Sequence, residues 1–171
     1  MKIAVDNENC IPYKKYETDA GWDLKVNSDK PTMIYHNKLP KAIGTGVRVE
    51  IPKGYVGLVV PRSGLGGEFE VKLANSIGVI DSDYRGEIKV FTVNKGKRHY
   101  KLAPYERFCQ LLVVPVLQEK LEVVTILSET NRTDNGFGST GTVEVVEEKL
   151  EIDIEEAPAD VWNIKKLKGD T

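Results

Sequence analysis

The chain has 171 residues, 40% of them hydrophobic and 29% charged, which fits one soluble globular domain and excludes a disordered chain. Its formal net charge of -2 excludes a broad basic surface for nucleic acid, but not a focused site where a few arginines and a metal hold a small anion. The two cysteines, Cys10 and Cys109, and the two histidines, His36 and His99, lack metal-ligand spacing, so no zinc site is expected.

Met1-Lys2-Ile3-Ala4-Val5 lacks the apolar core of a signal peptide. No apolar run approaches transmembrane length, and a reducing cytoplasm is the expected compartment. The chain then proceeds in short β-branched runs punctuated by Gly, Pro, Asn and Asp: Gly46 to Ile51, Val56 to Val60, Gly86 to Val93, Gln110 to Val116 and Leu121 to Leu127. Pro52-Lys53-Gly54 reads as a tight hairpin turn between two of them, and Asn94-Lys95-Gly96 as another turn. Gly64 to Leu73 suits a short helix; no long helical periodicity precedes residue 142. Short strands at close spacing predict an all-β domain, an antiparallel barrel or jelly roll.

After Gly141 the character changes. Residues 143–160 hold eight acidic residues against the single Lys149. Val143, Val145, Leu150, Ile152 and Ile154 partly alternate with charges up to Pro158, and Ala159 to Leu167 suits a helical turn or two. A solvated acidic tail and a docking strand or partner-binding appendage are both open readings.

Several turns are richer in Gly, Ser, Arg and Asp than hairpin geometry requires. They are Asp19-Ala20-Gly21-Trp22-Asp23-Leu24, Pro61-Arg62-Ser63-Gly64-Leu65-Gly66, Gly78 to Glu87, and Arg132 to Gly141. Glycine beside Ser and Arg lets backbone N–H groups approach a phosphate while guanidinium and hydroxyl donors complete the cradle. Each segment alone is an ordinary turn.

In order and spacing, these segments together with Arg107-Phe108-Cys109-Gln110 resemble the conserved segments of the trimeric dUTPase family, over about residues 18–141. The resemblance implies a jelly-roll-like (β-clip) subunit that assembles as a homotrimer, with active sites at subunit interfaces. It implies hydrolysis of dUTP to dUMP and pyrophosphate with Mg²⁺, which limits uracil in DNA and supplies dUMP for thymidylate. Residues 1–141 would form the enzyme domain, with 132–141 as its lid, and 142–171 an extension of unknown role.

Residue by residue, Asp81 matches the family's catalytic aspartate. A carboxylate is ionised near neutral pH and can take a proton from the water that attacks the α-phosphorus. Tyr84 matches the tyrosine that packs under deoxyribose and leaves no room for a 2′-hydroxyl. Asn75, Gly78, Val79 and Lys89 fall where a hairpin of the third segment reads uracil. That hairpin excludes the thymine methyl by shape and cytosine by its amino group. Arg62, Ser63 and Gly64 resemble the phosphate-binding trio, joined by Gln110, while Arg107 looks like an ion-pair residue. Asp23 resembles the aspartate that contacts Mg²⁺ through water. In the lid, Phe137 resembles the phenylalanine that stacks on uracil, and Arg132, Gly138, Ser139 and Thr140 close on the outer phosphates.

The chain departs from the family pattern in places. Trp22 stands where Tyr or Phe is usual, a change expected to affect packing only. Thr133-Asp134-Asn135 replaces a Gly-rich stretch after the lid arginine, stiffens the lid and brings a carboxylate near the γ-phosphate. dCTP deaminase shares the fold, but Phe91 stands where that family carries its catalytic glutamate. A binding protein built on the same scaffold is the alternative outside enzymes, motivated by the acidic extension.

Overall fold

The computed structural model describes residues 1–130; residues 142–171 lie outside them. Residues Met1–Leu121 form a compact unit of short strands: β1 (Lys2–Val5), β2 (Gly21–Lys25), β3 (Thr32–Ile34), β4 (Lys41–Gly44), β5 (Val47–Glu50), β6 (Tyr55–Pro61), β7 (Val71–Leu73), β8 (Gly78–Ile80), β9 (Lys89–Asn94), β10 (Tyr100–Leu102) and β11 (Arg107–Pro115). A 3-10 turn, Glu8–Cys10, and one helix, α1 (Ser63–Glu68), interrupt them.

Every ladder between these strands is antiparallel. The main sheet runs β2-β11-β6-β8, a second sheet runs β4-β9-β7, and β1-β5 and β10-β3 form two-stranded ladders. Alternation decides which side chains enter the core. In β5, Val47 and Val49 are buried; in β9, Val90, Thr92 and Asn94 are buried while Phe91 faces outward. Leu24, Val59 and Leu111 of the main sheet join Ile43, Leu73 and Val90 of the second in one hydrophobic cluster. The polar groups inside are satisfied. Thr45 Oγ1 donates to the Ile88 carbonyl at 2.8 Å, and Asn94 Nδ2 donates to the Ile34 and Arg98 carbonyls at 3.0 and 2.9 Å. This is the strand-rich, jelly-roll-like subunit expected.

Several local expectations are corrected. Pro52-Lys53-Gly54 is a tight turn, with Gly54 at φ 81, but not a hairpin. β5 pairs with β1, while β6 pairs with β11 and β8, so the turn is a corner between sheets. The helical stretch is shorter than Gly64 to Leu73, because Val71–Leu73 leaves α1 to pair with β9. Gly86 to Val93 becomes a strand only from Lys89, and the last ladder begins at Arg107, ahead of Gln110. Leu121 to Leu127 forms no strand. Its β-branched residues find no ladder partner among the described residues, and Leu121 and Val123 are each 97% exposed.

Candidate active site

The central ladder builds the first half of the site. Gln110 of β11 stands opposite Asp23 of β2 on one side and Val60 of β6 on the other. In a regular strand Arg107 and Gln110, three residues apart, face opposite ways. A register shift between Arg107 and Cys109 changes the phase: Phe108 and Cys109 are both buried, and Arg107 and Gln110 open onto the same cleft. Such bulges re-aim side chains near sites.

Asp23 is the hub. Its Oδ1 accepts from Arg62 Nε at 3.1 Å and its Oδ2 from Arg107 Nη1 at 3.2 Å. Arg62, the residue before α1, also donates from Nη1 to the Arg107 carbonyl at 3.0 Å. Gln110 Nε2 donates to the Pro61 carbonyl at 3.2 Å, and the Arg107 guanidinium lies 4.8 Å from the Tyr13 ring centroid. Arg107 is thus an ion-pair residue, as the family resemblance implied. Beneath them Cys109 is fully buried, and burial pushes its thiol well above the usual thiol range. These groups line a cleft of about 390 Å³ with Gly21, Ala20, Asp19 and Lys15. Ser63 and Gly64 follow Arg62 in the exposed first turn of α1, and a Cβ at Gly64 would meet nothing within 4 Å.

Asp81 and Tyr84 do not line this cleft. β8 pairs with β6 at the edge of the main sheet and leads into a turn closed by Tyr84 N–H donating to the Asp81 carbonyl at 3.1 Å. Asp81, Asp83 and Tyr84 are exposed. Tyr84 OH donates to the Glu87 carbonyl at 2.9 Å, folding the ring over Gly86, where a Cβ would sit 2.6 Å from Cζ. Beyond the turn the chain is clamped. Glu87 Oε1 accepts from Gly46 N–H at 2.9 Å, Ile88 N–H donates to the Val47 carbonyl at 2.8 Å, and Thr45 N–H donates to the Ile88 carbonyl at 3.2 Å.

The uracil hairpin is corrected in one respect. Gly78 and Val79 belong to β8 of the main sheet, and Lys89 to β9 of the second, so no ladder joins the arms of the third segment within one chain. Val79 is 64% exposed and Lys89 Nζ lies 3.8 Å from Glu87 Oε2. Asn75 is exposed in the link between β7 and β8, where its carbonyl accepts from Ile77 N–H at 2.7 Å. Trp22 carries Lys14 Nζ 4.0 Å above its ring centroid. The lid residues Arg132, Phe137, Gly138, Ser139 and Thr140 lie outside the described residues.

Sequence reasoning missed Tyr13 and Lys15 as cleft residues and gave Asp19, which opens the first segment, no role of its own. The signal for Tyr13 and Lys15 was proximity to the first segment, since Tyr13 bridges Asp23 through backbone bonds of 3.0 and 2.8 Å.

Asp23 is also the expected metal contact, and both its oxygens already accept from guanidinium groups. Among the described residues no group of three His, Cys, Asp or Glu side chains can cage an ion. The donor set therefore suits only an outer contact, through water, to a cation held chiefly by phosphate oxygens.

Comparisons with known proteins identify the family. Residues 7–141 match the sequence model of the dUTPase family. The chain is 42% identical over 147 residues to the deoxyuridine 5'-triphosphate nucleotidohydrolase of Escherichia phage T5, covering 83% of this chain and 99% of that one. It is 40% identical over 123 residues to the protein of that name from Burkholderia lata, covering 71% and 82%. In structure it is similar to the dUTPase of Staphylococcus bacteriophage 80alpha solved with dUpNHpp, with a TM-score of 0.74 and 25% identity over 82% of this chain and 98% of that one. The chain belongs to the dUTPase family.

Proposed function

We propose that the protein is a dUTP diphosphatase that hydrolyses dUTP to dUMP and pyrophosphate, and that it works as a homotrimer whose sites combine residues of different chains. The observation that carries this reading is the separation of the site residues. Asp23, Arg62 and Gln110 share a cleft, whereas Asp81 and Tyr84 project from a turn outside it. A second copy can bring the two sets together. The exposed apolar residues Val116, Leu117, Leu121, Val123, Ile126 and Leu127, although interspersed with Gln118, Glu119, Lys120 and Glu122, support association, since so many apolar side chains close together in sequence are rarely all left in water.

In this reading, Asp81 accepts a proton from water as its oxygen attacks the α-phosphorus, and pyrophosphate leaves. Arg62, Ser63, Gly64 and Gln110 meet the charge growing on phosphoryl oxygens; one such donor is worth about 10²–10³ in rate. Mg²⁺ bound to the triphosphate would supply charge neutralisation and orientation, and Asp23 would hold that ion through water. The Tyr84 ring fills the space of a 2′-hydroxyl, while Asn75, Gly78, Val79 and Lys89 read uracil. Lid residues Arg132, Phe137, Gly138, Ser139 and Thr140 close over the base and outer phosphates. Removal of dUTP limits uracil in DNA, and the dUMP formed feeds thymidylate synthesis. For the acidic extension, residues 142–171, a solvated tail and a docking segment for a protein partner remain the two readings; equal partner recovery by full-length protein and a 1–141 truncation would remove the second.

The test is pyrophosphate release from dUTP, dCTP, dTTP and UTP with Mg²⁺, for wild type and Asp81→Asn. Turnover confined to dUTP and lost in the variant is expected. A wild type inactive on dUTP would leave the binding-scaffold reading in its place.

A further inference from the structure

The cleft around Asp23 is lined by Lys15, Arg62 and Arg107 as cations and by Asp19 and Asp23 as anions. Their charges are not equally available. Arg62 and Arg107 are both paired with Asp23, and Arg107 also lies against the Tyr13 ring. Lys15 is different. Among the described residues its ammonium joins no ion pair, and its nearest aromatic contact is the Tyr16 ring at 5.1 Å from the centroid.

The segment that carries Lys15 is built to hold it there. The Asp19 Oδ2 atom accepts from the backbone N–H groups of Lys15 and Tyr16, each at 3.0 Å, and Asp19 N–H donates to the Tyr16 carbonyl at 3.1 Å. Lys14 donates to the Asp19 carbonyl and stacks on Trp22. Tyr13 is bridged to Asp23 by two backbone bonds. Asp19 thus uses its carboxylate on the backbone of this loop, leaving the Lys15 side chain exposed at the cleft mouth.

We infer that Lys15 is a substrate-binding residue that supplies the free positive charge for the terminal phosphates of the bound triphosphate. The inference rests on the reading of this cleft as the triphosphate site. Arg62 and Gln110, half-buried at its floor, face the inner part of the chain of phosphates, and Lys15 at the rim faces its outer end. A charge there attracts the phosphates before and during the reaction alike, so it acts on binding rather than on the chemical step.

The experiment compares Lys15→Ala, Lys15→Glu and Lys15→Arg in full-length protein. Steady-state turnover of dUTP is measured together with inhibition by pyrophosphate and by dUMP. The loop's own bonds use the Lys15 backbone, so these substitutions leave it intact, and unchanged thermal unfolding checks this. Lys15→Ala should raise KM about fivefold to tenfold with kcat within about twofold, with a larger rise for Lys15→Glu and near wild-type values for Lys15→Arg. Inhibition by pyrophosphate should weaken in parallel, and inhibition by dUMP should not change. If Lys15→Glu leaves both KM and pyrophosphate inhibition unchanged while wild type turns over dUTP, Lys15 has no part in binding. If wild type does not turn over dUTP, the reading of the cleft itself fails.

Discussion

Asp23 of β2 and Arg107 and Gln110 of β11 stand on neighbouring strands, with Arg62 just past the end of β6; the Asp23 carboxylate ties both arginines, and Gln110 donates to the Pro61 carbonyl. Asp81, Asp83 and Tyr84 project from a turn held by backbone bonds of β8 before it and Ile88 after it, and by the side chains of Tyr84, Arg85 and Glu87 within it. The proposed reaction accounts for the difference in construction. Groups that bind a highly charged chain of phosphates need their own charges balanced while the site is empty, and Asp23 provides that balance. In that reaction a general base and a residue that excludes a hydroxyl need placement, and the turn leaves the Asp81 carboxylate exposed while it fixes the Tyr84 ring through the Glu87 carbonyl.

The sharpest break in this comparison is Asp81→Asn. It leaves the turn's backbone bonds in place and should lower kcat by about a hundredfold to ten-thousandfold with little change in dUTP binding. Single-turnover kinetics with binding measured separately would show it. Gly86→Ala attacks placement instead. The new methyl would overlap the Tyr84 ring, so discrimination against UTP should fall about tenfold as the ring moves; the ratio of kcat/KM for dUTP and UTP is the readout. Asp23→Asn removes the balancing charge from the other half. With the carboxylate partly screened by solvent, the expected loss is about 1–2 kcal/mol in denaturant unfolding, together with a higher Mg²⁺ requirement. The smallest effect concerns neither half. Tyr100 OH donates to Glu106 Oε1 at 2.9 Å, and burial followed by that bond pushes the phenol up to about 12. Its folded pKa lies above its unfolded one, so this contribution is intact below about pH 10 and lost as pH rises toward 12. Tyr100→Phe should flatten that alkaline loss of stability, followed by thermal unfolding against pH.

Much of this contrast was legible in the sequence. Asp81, Tyr84 and Arg62-Ser63-Gly64 sit in segments whose Gly, Ser, Asp and Arg content exceeds what turns need, and β9 shows its alternation plainly. The balance on Asp23 was not legible, because its partners lie 39 and 84 residues away. The bulge that turns Arg107 toward Gln110 depends on pairing with β2, which no local pattern encodes. The corner at Pro52 to Gly54 misled for the same reason: its residues specify a turn, and only tertiary pairing decides whether the flanking strands meet. Leu121 to Leu127 has strand composition without a partner strand among the described residues, and composition alone does not distinguish the two cases.

The central claim is that each site takes Asp81 from one chain and Arg62 from another. Asp81→Asn and Arg62→Ala proteins, each nearly inactive alone, would be unfolded together at equal amounts, refolded and assayed for dUTP turnover. Random trimers then carry one intact site in each mixed assembly, and about a quarter of wild-type activity should return. No recovery, with mixed trimers demonstrated by mass, would place both residues in the same chain's site and contradict the account.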